Sequence, residues 1–285
     1  MWPTYITEAS LDAFIVQALN EDLGDGDHSS LASIPEHATN EAYLLMKDSG
    51  VIAGMELAEI IFKKLDSELK VLSTTADGTH VNKGDIIMRV QGRSQAILSA
   101  ERLVLNCMQR MSGIATLTAR LTSMISHTKA RLLDTRKTTP NFRMMQKWAV
   151  VIGGGVNHRY GLFDMIMLKD NHADFAGGIT QAVSSTLDYL KKTGRDLKIE
   201  VETRNLEEVR EALATGAVDR IMLDNMSVST TKEAVEIIAG RTETEASGGI
   251  TESTIADVAG TGVDYISVGA LTHSARSIDI SLKAT

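Results

Sequence analysis

Residues 134–140 read DTRKTTP, residues 153–161 read GGGVNHRYG and residues 165–172 read MIMLKDNH. Together they carry Arg136, Lys137, His158, Arg159 and Lys169. Arginine's planar fork matches a carboxylate or phosphate with two parallel bonds, and lysine supplies a compact point charge. From Asp134 to His172 six Lys or Arg (Arg136, Lys137, Arg143, Lys147, Arg159 and Lys169) stand against three Asp, in a chain of formal net charge −8. An acidic protein with one locally basic region suits a small anionic substrate, because local charge decides what a cleft attracts. Alone, Arg136-Lys137 reads equally well as a solvated basic turn. The three glycines resemble a phosphate loop, but they follow the helical pattern FRMMQKWAVVI, and no Gly-Lys-Ser/Thr ending follows them. They therefore read as a helix stop and a flexible connection that delivers His158 and Arg159 to the same anion as Arg136.

Lys169 ends an apolar run, which places it at a strand end. There it could form a Schiff base, bind a carboxylate or snorkel to water. Glu202 in IEVET and Asp224 in IMLDN also end apolar runs. Two carboxylates without a His or Cys cluster suit Mg²⁺ or ribose hydroxyls better than zinc. Glu200, two residues before Glu202, shares its face and lies deeper. Glycine turns recur in EASGGIT (245–251) and SVGALTHS (267–274). In the first, Ser247, Gly248 and Gly249 are expected to run straight into the helix TESTIADVAG, a better phosphate cradle than GGGVNHRYG.

These groups need a scaffold. From residue 130 onward the apolar runs ARLLD, MIMLK, KIEVE, RIMLD, TEAS and YISVG alternate with helical patterns. That rhythm predicts a parallel sheet with crossover helices. A polar or glycine residue closes each strand, which favours an α/β barrel, with working groups at every carboxyl end, over an open sheet with one switch point. Six strands make the barrel incomplete. Residues 1–125 have no such rhythm. They show the helix TEASLDAFIVQALNEDL, a second at GMELAEIIFKKL, strand character in THVNKGDIIMRVQG, and a long helix SAERLVLNCMQRMSGIATLTARLTSMI with Gly113 as a break or close-packing point. The lone Cys107 sits in an apolar pattern and reads as a buried thiol. The acidic balance excludes a basic nucleic-acid surface. No run reaches the ~18 apolar residues of a membrane span, and MWPTYITEASLDAF lacks the form of a secretory signal. The single cysteine fits a reducing, cytoplasmic setting.

The chain resembles the quinolinate phosphoribosyltransferase family. The resemblance runs in order through EDLGDGD, ERLVLNCMQRMSGIATLTA, DTRKTTP, GGGVNHRYGLFDMIMLKDNH, VETRNLEE, IMLDNM, EASGGIT and GVDYISVGALTHS. It implies a type II phosphoribosyltransferase fold. An N-terminal α/β sandwich domain covers 1–112, an incomplete parallel α/β barrel covers 113–273, and a segment of about 274–285 packs back on the first domain. It also implies a homodimer or higher assembly. Arg136, His158, Arg159 and Lys169 would hold the carboxylates of quinolinate, with Arg102 reaching into the partner subunit's site. Lys137 would lie between quinolinate and phosphoribosyl pyrophosphate. Glu202 and Asp224 would face the ribose and its Mg²⁺, and Ser247, Gly248, Gly249 and Gly269 would cradle the 5′-phosphate with His273 nearby. Three positions depart from the family pattern: Asn141-Phe142 replaces a common Gly-Leu, Gly26-Asp27-His28-Ser29 replaces Gly-Asp-Ile/Val-Thr, and Arg204 stands where an acid is common. A pyrophosphorylase-like paralogue encoded with molybdate transporters, a Lys169 Schiff-base aldolase and a non-catalytic binding protein are the rival readings. The VNHR and KDNH blocks argue against the paralogue.

Overall fold

A computed structural model describes residues 2–285 of the chain. The chain folds into two compact units. One holds the chain up to Ala119 with Thr138–Gly154 and Ala270–Thr285, and the other holds Arg120–Lys137 with Gly155–Gly269.

The first unit opens with α1 (Glu8–Leu23). Thr7 caps it: its hydroxyl accepts from Ser10 N at 3.1 Å, and Ser10 Oγ accepts from Thr7 N at 2.9 Å. This satisfies donors that a helix start leaves bare. Leu11, Ile15 and Leu19 bury one stripe at four-residue spacing. The short α2 (His28–Ser33) follows, capped by Asp27 through Ser30 N. Next come β1 (Thr39–Met46), β2 (Gly50–Val51), α3 (Met55–Leu65), β3 (Lys70–Thr74), β4 (His80–Val81), β5 (Ile86–Arg93) and the 32-residue α4 (Ser94–Ile125). Strand β1 buries alternate residues, Ala42, Leu44 and Met46, the period expected of a sheet with one covered face. Cys107 is buried on α4, and burial pushes its thiol up to about 12, so it is an inert core residue.

The second unit carries β6 (Arg131–Leu133). After α5 (Arg143–Ile152), whose residues group with the first unit, come β7 (Ile166–Leu168), α6 (Asp170–Ala176), α7 (Ile179–Thr193), β8 (Ile199–Thr203), α8 (Leu206–Ala214), β9 (Arg220–Asp224), α9 (Val228–Ile238), β10 (Glu243–Ser247), α10 (Ile255–Ala259) and β11 (Tyr265–Ser267). All six predicted strands form and pair in parallel in the order β6-β11-β10-β9-β8-β7. Among the described residues the edge strands β6 and β7 do not pair with each other, so the barrel is open. Parallel pairing places every carboxyl end on one rim, and all five residues of β8 are buried.

The chain returns to the first unit with α11 (Ala270–His273) and β12 (Ile280–Ala284). Strand β12 adds antiparallel to β1, Ala42 opposite Ala284, completing the mostly antiparallel sheet β12-β1-β5-β3. Gly113 does not break α4. A Cβ there would strike the carbonyl of Arg276, with the carbonyl carbon at 2.9 Å and Ser277 Cα at 3.1 Å. Glycine is required by close approach of a second backbone. Helix propensity alone favours alanine by about 1 kcal/mol. Gly113→Ala is nevertheless expected to destabilise the protein by about 1–3 kcal/mol, and a denaturant titration of both proteins reads the sign directly.

Candidate active site

The carboxyl rim of the barrel gathers most of the sequence-predicted site. Arg136 and Lys137 follow β6, and Lys137 N donates to Thr135 Oγ1 at 3.0 Å. Lys169 immediately follows β7 and stands at the start of α6. Glu202 and Asp224 lie at the ends of the neighbouring strands β8 and β9. Ser247 closes β10 opposite Asp224, and Gly269 lies just past β11. Lys169 Nζ and Glu202 Oε2 form a 2.6 Å ion pair. Arg102, exposed on α4, and His273, exposed at the end of α11, belong to the first compact unit.

The segment carrying His158 and Arg159 is held in a way its glycines do not suggest. Four successive backbone N–H groups donate to side chains. His158 N donates to Asp134 Oδ1 at 2.8 Å and Arg159 N to His158 Nδ1 at 2.6 Å. Tyr160 N and Gly161 N donate to the two oxygens of Asp164 at 2.6 and 2.8 Å. Asn157 Nδ2 also donates to Asp134 Oδ2 at 2.6 Å. The segment that the glycines mark as flexible is thus strapped at His158–Gly161. Arg159 extends from it with Nη1 donating to Met165 O at 3.1 Å. Burial draws the Arg159 pKa down, and the nearby positive charge of Arg136 acts in the same direction. Two guanidiniums so close at a strand-end rim are an arrangement that an anion between them would relieve.

Beneath the rim the barrel interior is polar. His158 is buried, with Nε2 3.0 Å from Glu200 Oε2 and 3.5 Å from Glu245 Oε2. Arg220 Nη1 donates to Glu245 Oε2 at 2.9 Å and Nη2 to Glu243 Oε2 at 2.9 Å, and its guanidinium lies 4.0 Å from the Tyr265 ring centroid. Period-two alternation along β8 stacks Glu200, fully buried, below Glu202, 8% exposed. Glu245 and Arg220 escaped the sequence reading, although TEAS and RIMLD carry them at the same spacing in strands otherwise too polar for a barrel core.

The phosphate cradle differs from its prediction in one respect. The helix does not start at the glycines: α10 spans only Ile255–Ala259. Gly248 and Gly249 instead take consecutive positive φ values of 90° and 62°. A Cβ on Gly248 would collide with the side-chain amide of Asn225 and approach its backbone N to 2.9 Å. Asn225 N itself donates to Ser247 O at 2.8 Å, tying the ends of β9 and β10 together. At the opposite rim a cavity of about 610 Å³ opens among the strands' amino ends, where Asp264 already holds Lys129 and Glu243 holds Arg220.

A family model described as the quinolinate phosphoribosyl transferase N-terminal domain matches residues 27–112, and its C-terminal counterpart matches residues 114–283. The chain belongs to the quinolinate phosphoribosyltransferase family. It is 50% identical to the chloroplastic nicotinate-nucleotide pyrophosphorylase [carboxylating] of Arabidopsis thaliana, over 99% of this chain and 83% of that protein. It is 42% identical to the probable nicotinate-nucleotide pyrophosphorylase [carboxylating] of Bacillus subtilis, over 93% and 90%. Crystalline NadC from Streptococcus pyogenes superposes with a TM-score of 0.92 at 38% identity, covering 99% of this chain and all of that one.

Two departures from the family pattern find structural reasons. Asn141 occupies a left-handed conformation at φ 61°, which asparagine tolerates best after glycine, and Phe142 packs on Phe14 with ring centroids 5.8 Å apart. Arg204 is taken by acids on both sides: both Nη atoms donate to Asp174 at 3.0 Å, and Nε donates to Glu208 at 2.8 Å. Its charge is compensated locally, beside Glu202. The buried acids give the phosphoribosyltransferase a pH signature. Burial, then the charge of Glu200, raises the Glu245 carboxyl from 4.5 to about 7. The folded state therefore holds this proton more tightly than the unfolded chain, and stability falls as pH rises from 4.5 to 7, then levels off. Glu245→Gln should lose less stability than the parent between about pH 5 and about pH 8, read as melting temperature across that range.

Proposed function

We propose that this chain transfers the phosphoribosyl group of phosphoribosyl pyrophosphate to the pyridine nitrogen of quinolinate. Pyrophosphate leaves, the 2-carboxylate departs as CO₂, and nicotinate mononucleotide is formed for NAD biosynthesis. The observation that carries this reading is the meeting of Arg136 and Arg159 at the barrel rim, close enough that Arg136, after burial, draws the Arg159 pKa down. A planar dicarboxylate between them relieves that repulsion with bidentate bonds. Lys169 follows β7 on the same rim, and Lys137 follows Arg136 on the phosphoribosyl side. His158, expected from the sequence to join the carboxylate set, instead supports it from beneath, since its two ring nitrogens are turned to Arg159 N and Glu200.

Transfer builds positive charge at ribose C1, and carboxylates fixed near the sugar stabilise it without reorganising. Glu202 and Asp224 serve that role. Their oxygens are hard donors on neighbouring strands, a set that fits Mg²⁺, whose chemistry when bound is to neutralise the pyrophosphate leaving group. Ser247, Gly248, Gly249 and Gly269, with His273, receive the 5′-phosphate, since consecutive left-handed residues turn backbone N–H groups toward an anion. Decarboxylation needs no covalent nucleophile: the electron pair of the broken bond stays on ring C2, stabilised by the adjacent cationic nitrogen, and a proton from water takes the place of the carboxylate. Much of the acceleration comes from holding two anions together that repel in water. The aldolase reading is weaker, since Lys169 is paired with Glu202 and not held neutral in an apolar pocket.

Arg102, exposed on a helix of the first unit, serves the partner subunit of a homodimer. The lone buried Cys107 suits a reducing compartment such as the cytoplasm, and among the described residues no helix is long and apolar enough to cross a membrane. Plant relatives carry chloroplastic or mitochondrial names.

Incubation with quinolinate and phosphoribosyl pyrophosphate should release CO₂ and pyrophosphate in equal amounts, and nicotinate should not replace quinolinate. Arg159→Ala should weaken quinolinate by about 10–100-fold, the loss expected for a charge-assisted bond, with phosphoribosyl pyrophosphate little changed. Equal losses for both would contradict the carboxylate assignment. Arg102→Ala subunits mixed with Lys137→Ala subunits should regain part of the activity, because one site of each heterodimer is then intact. Verified heterodimers without activity would exclude the shared site.

A further inference from the structure

The His158 ring has an order to its two nitrogens that the backbone dictates. Arg159 N–H can only donate, and it points at Nδ1 from 2.6 Å. Nδ1 is therefore the acceptor, and the proton of the neutral ring sits on Nε2. Nε2 faces Glu200 Oε2 at 3.0 Å. Glu200 is wholly buried, and neither of its oxygens is in an aligned hydrogen bond, so its 3.0 Å contact with His158 Nε2 is an electrostatic approach. A carboxylate so enclosed is costly unless charge or donors face it; Arg220 and Arg159 supply charge, and the imidazole edge stands against Oε2.

We propose that Glu200 is a positioning residue for quinolinate: its carboxylate, 3.0 Å from Nε2, holds the imidazole of His158 in place by charge, and the ring in turn fixes the Arg159 main chain from which the guanidinium reaches Met165 O and the rim. Glu245, held by Arg220 through the 2.9 Å bond, stands 3.5 Å from the same Nε2 and confines that edge of the imidazole from a second strand. The effect reaches substrate because Arg159 belongs to a run of four N–H groups that donate to side chains, so its main chain, as distinct from the guanidinium held by Met165 O, depends on the ring. Asp134 and Asp164 anchor the residues on either side, and only the ring of His158 anchors Arg159 N.

His158 Nε2 and one oxygen from each acid also lie within 4.8 Å of one another, a grouping able to hold a cation. Arg220 already supplies positive charge to Glu245 in that space, which favours the proton-bearing imidazole over a metal. The inference rests on Arg159 contacting a carboxylate of quinolinate, yet one of its tests does not. In protein labelled with ¹⁵N-histidine, the His158 signal, identified by its loss in His158→Gln, should show the Nε2-protonated tautomer. The Nδ1-protonated form would overturn the proposal whatever Arg159 binds. Glu200→Leu, if folded by circular dichroism, should weaken quinolinate at least ~10-fold and phosphoribosyl pyrophosphate by less than ~2-fold, while Glu200→Gln, which keeps an oxygen and its partial negative charge, should stay within ~3-fold of the parent for both. An unchanged quinolinate affinity in folded Glu200→Leu, or equal losses for both substrates, sinks it. If Glu200→Leu does not fold, the His158 ring signals of Glu200→Gln decide: an Nε2 shift identical to the parent's overturns the proposal. One divalent cation per chain in dialysed parent protein, absent from Glu200→Gln, would assign the cluster to a metal instead. Should Arg159→Ala leave quinolinate affinity intact, the carboxylate assignment fails separately, and the Nε2 shift between parent and Glu200→Gln still reports whether Glu200 holds the ring.

Discussion

A receptor for a small polyanion must bring like charges together before the anion arrives, and two guanidiniums ~4 Å apart near a protein surface repel by roughly 4 kcal/mol. The rim proposed to bind quinolinate meets that constraint from below. Arg159 loses basicity to burial and to Arg136, and the same group is steadied by Glu200 and Asp164. Glu200 in turn has Arg220 and Arg159 acting to keep it charged against its burial. Charges of both signs are stacked in the barrel: Arg220 is paired with Glu243 and Glu245, and Glu200 and Glu245 stand against His158, beneath a rim that carries Arg136 and Arg159 beside the Lys169–Glu202 pair.

That arrangement explains why so much of the architecture could be read from the chain and why a specific part could not. Each of the six strands appears where a largely apolar run ends in a polar or glycine residue, since burial on both faces keeps most of each strand apolar. Helices α1, α3 and α4 follow from apolar spacing. Lys169 and Glu202 were both visible as rim residues, but their mutual ion pair depends on β7 pairing with β8, a neighbourhood that linear sequence does not carry. Glu245 and Arg220 looked like ordinary strand-end charges because nothing local distinguishes an inward charge from an outward one. Their partners lie on other strands, tens of residues away.

The glycine-rich segment shows the same limit from the opposite side. Three adjacent glycines announce conformational freedom, and the freedom is used: Gly154 takes φ 86° as α5 ends. Five residues later the chain is rigid, because Asp134 and Asp164 accept what a neighbouring strand would have accepted. Both carboxylates are in plain view in the sequence. Their function is not, because a carboxylate that binds backbone N–H groups and one that binds metal have the same letter. Asn141 is the more tractable case. Replacement of a common glycine by asparagine retains the left-handed turn before α5, so the substitution is conservative in backbone space although not in composition.

A polar barrel interior is an expensive way to fill space. Buried ion pairs seldom stabilise more than well-packed aliphatic side chains of similar volume, and often less. An interior of valine and leucine would be expected to fold at least as firmly, as it does in many barrels. What aliphatic packing cannot do is distinguish the two nitrogens of an imidazole or hold a ring plane by direction. Here the ring of His158 must accept from Arg159 on one side and face a carboxylate on the other, and only hydrogen-bonding groups impose that orientation. Glu200 and Glu245 are thus best understood as trading stability for aim: the core gives up part of its packing energy so that an arginine on an irregular segment points in one direction.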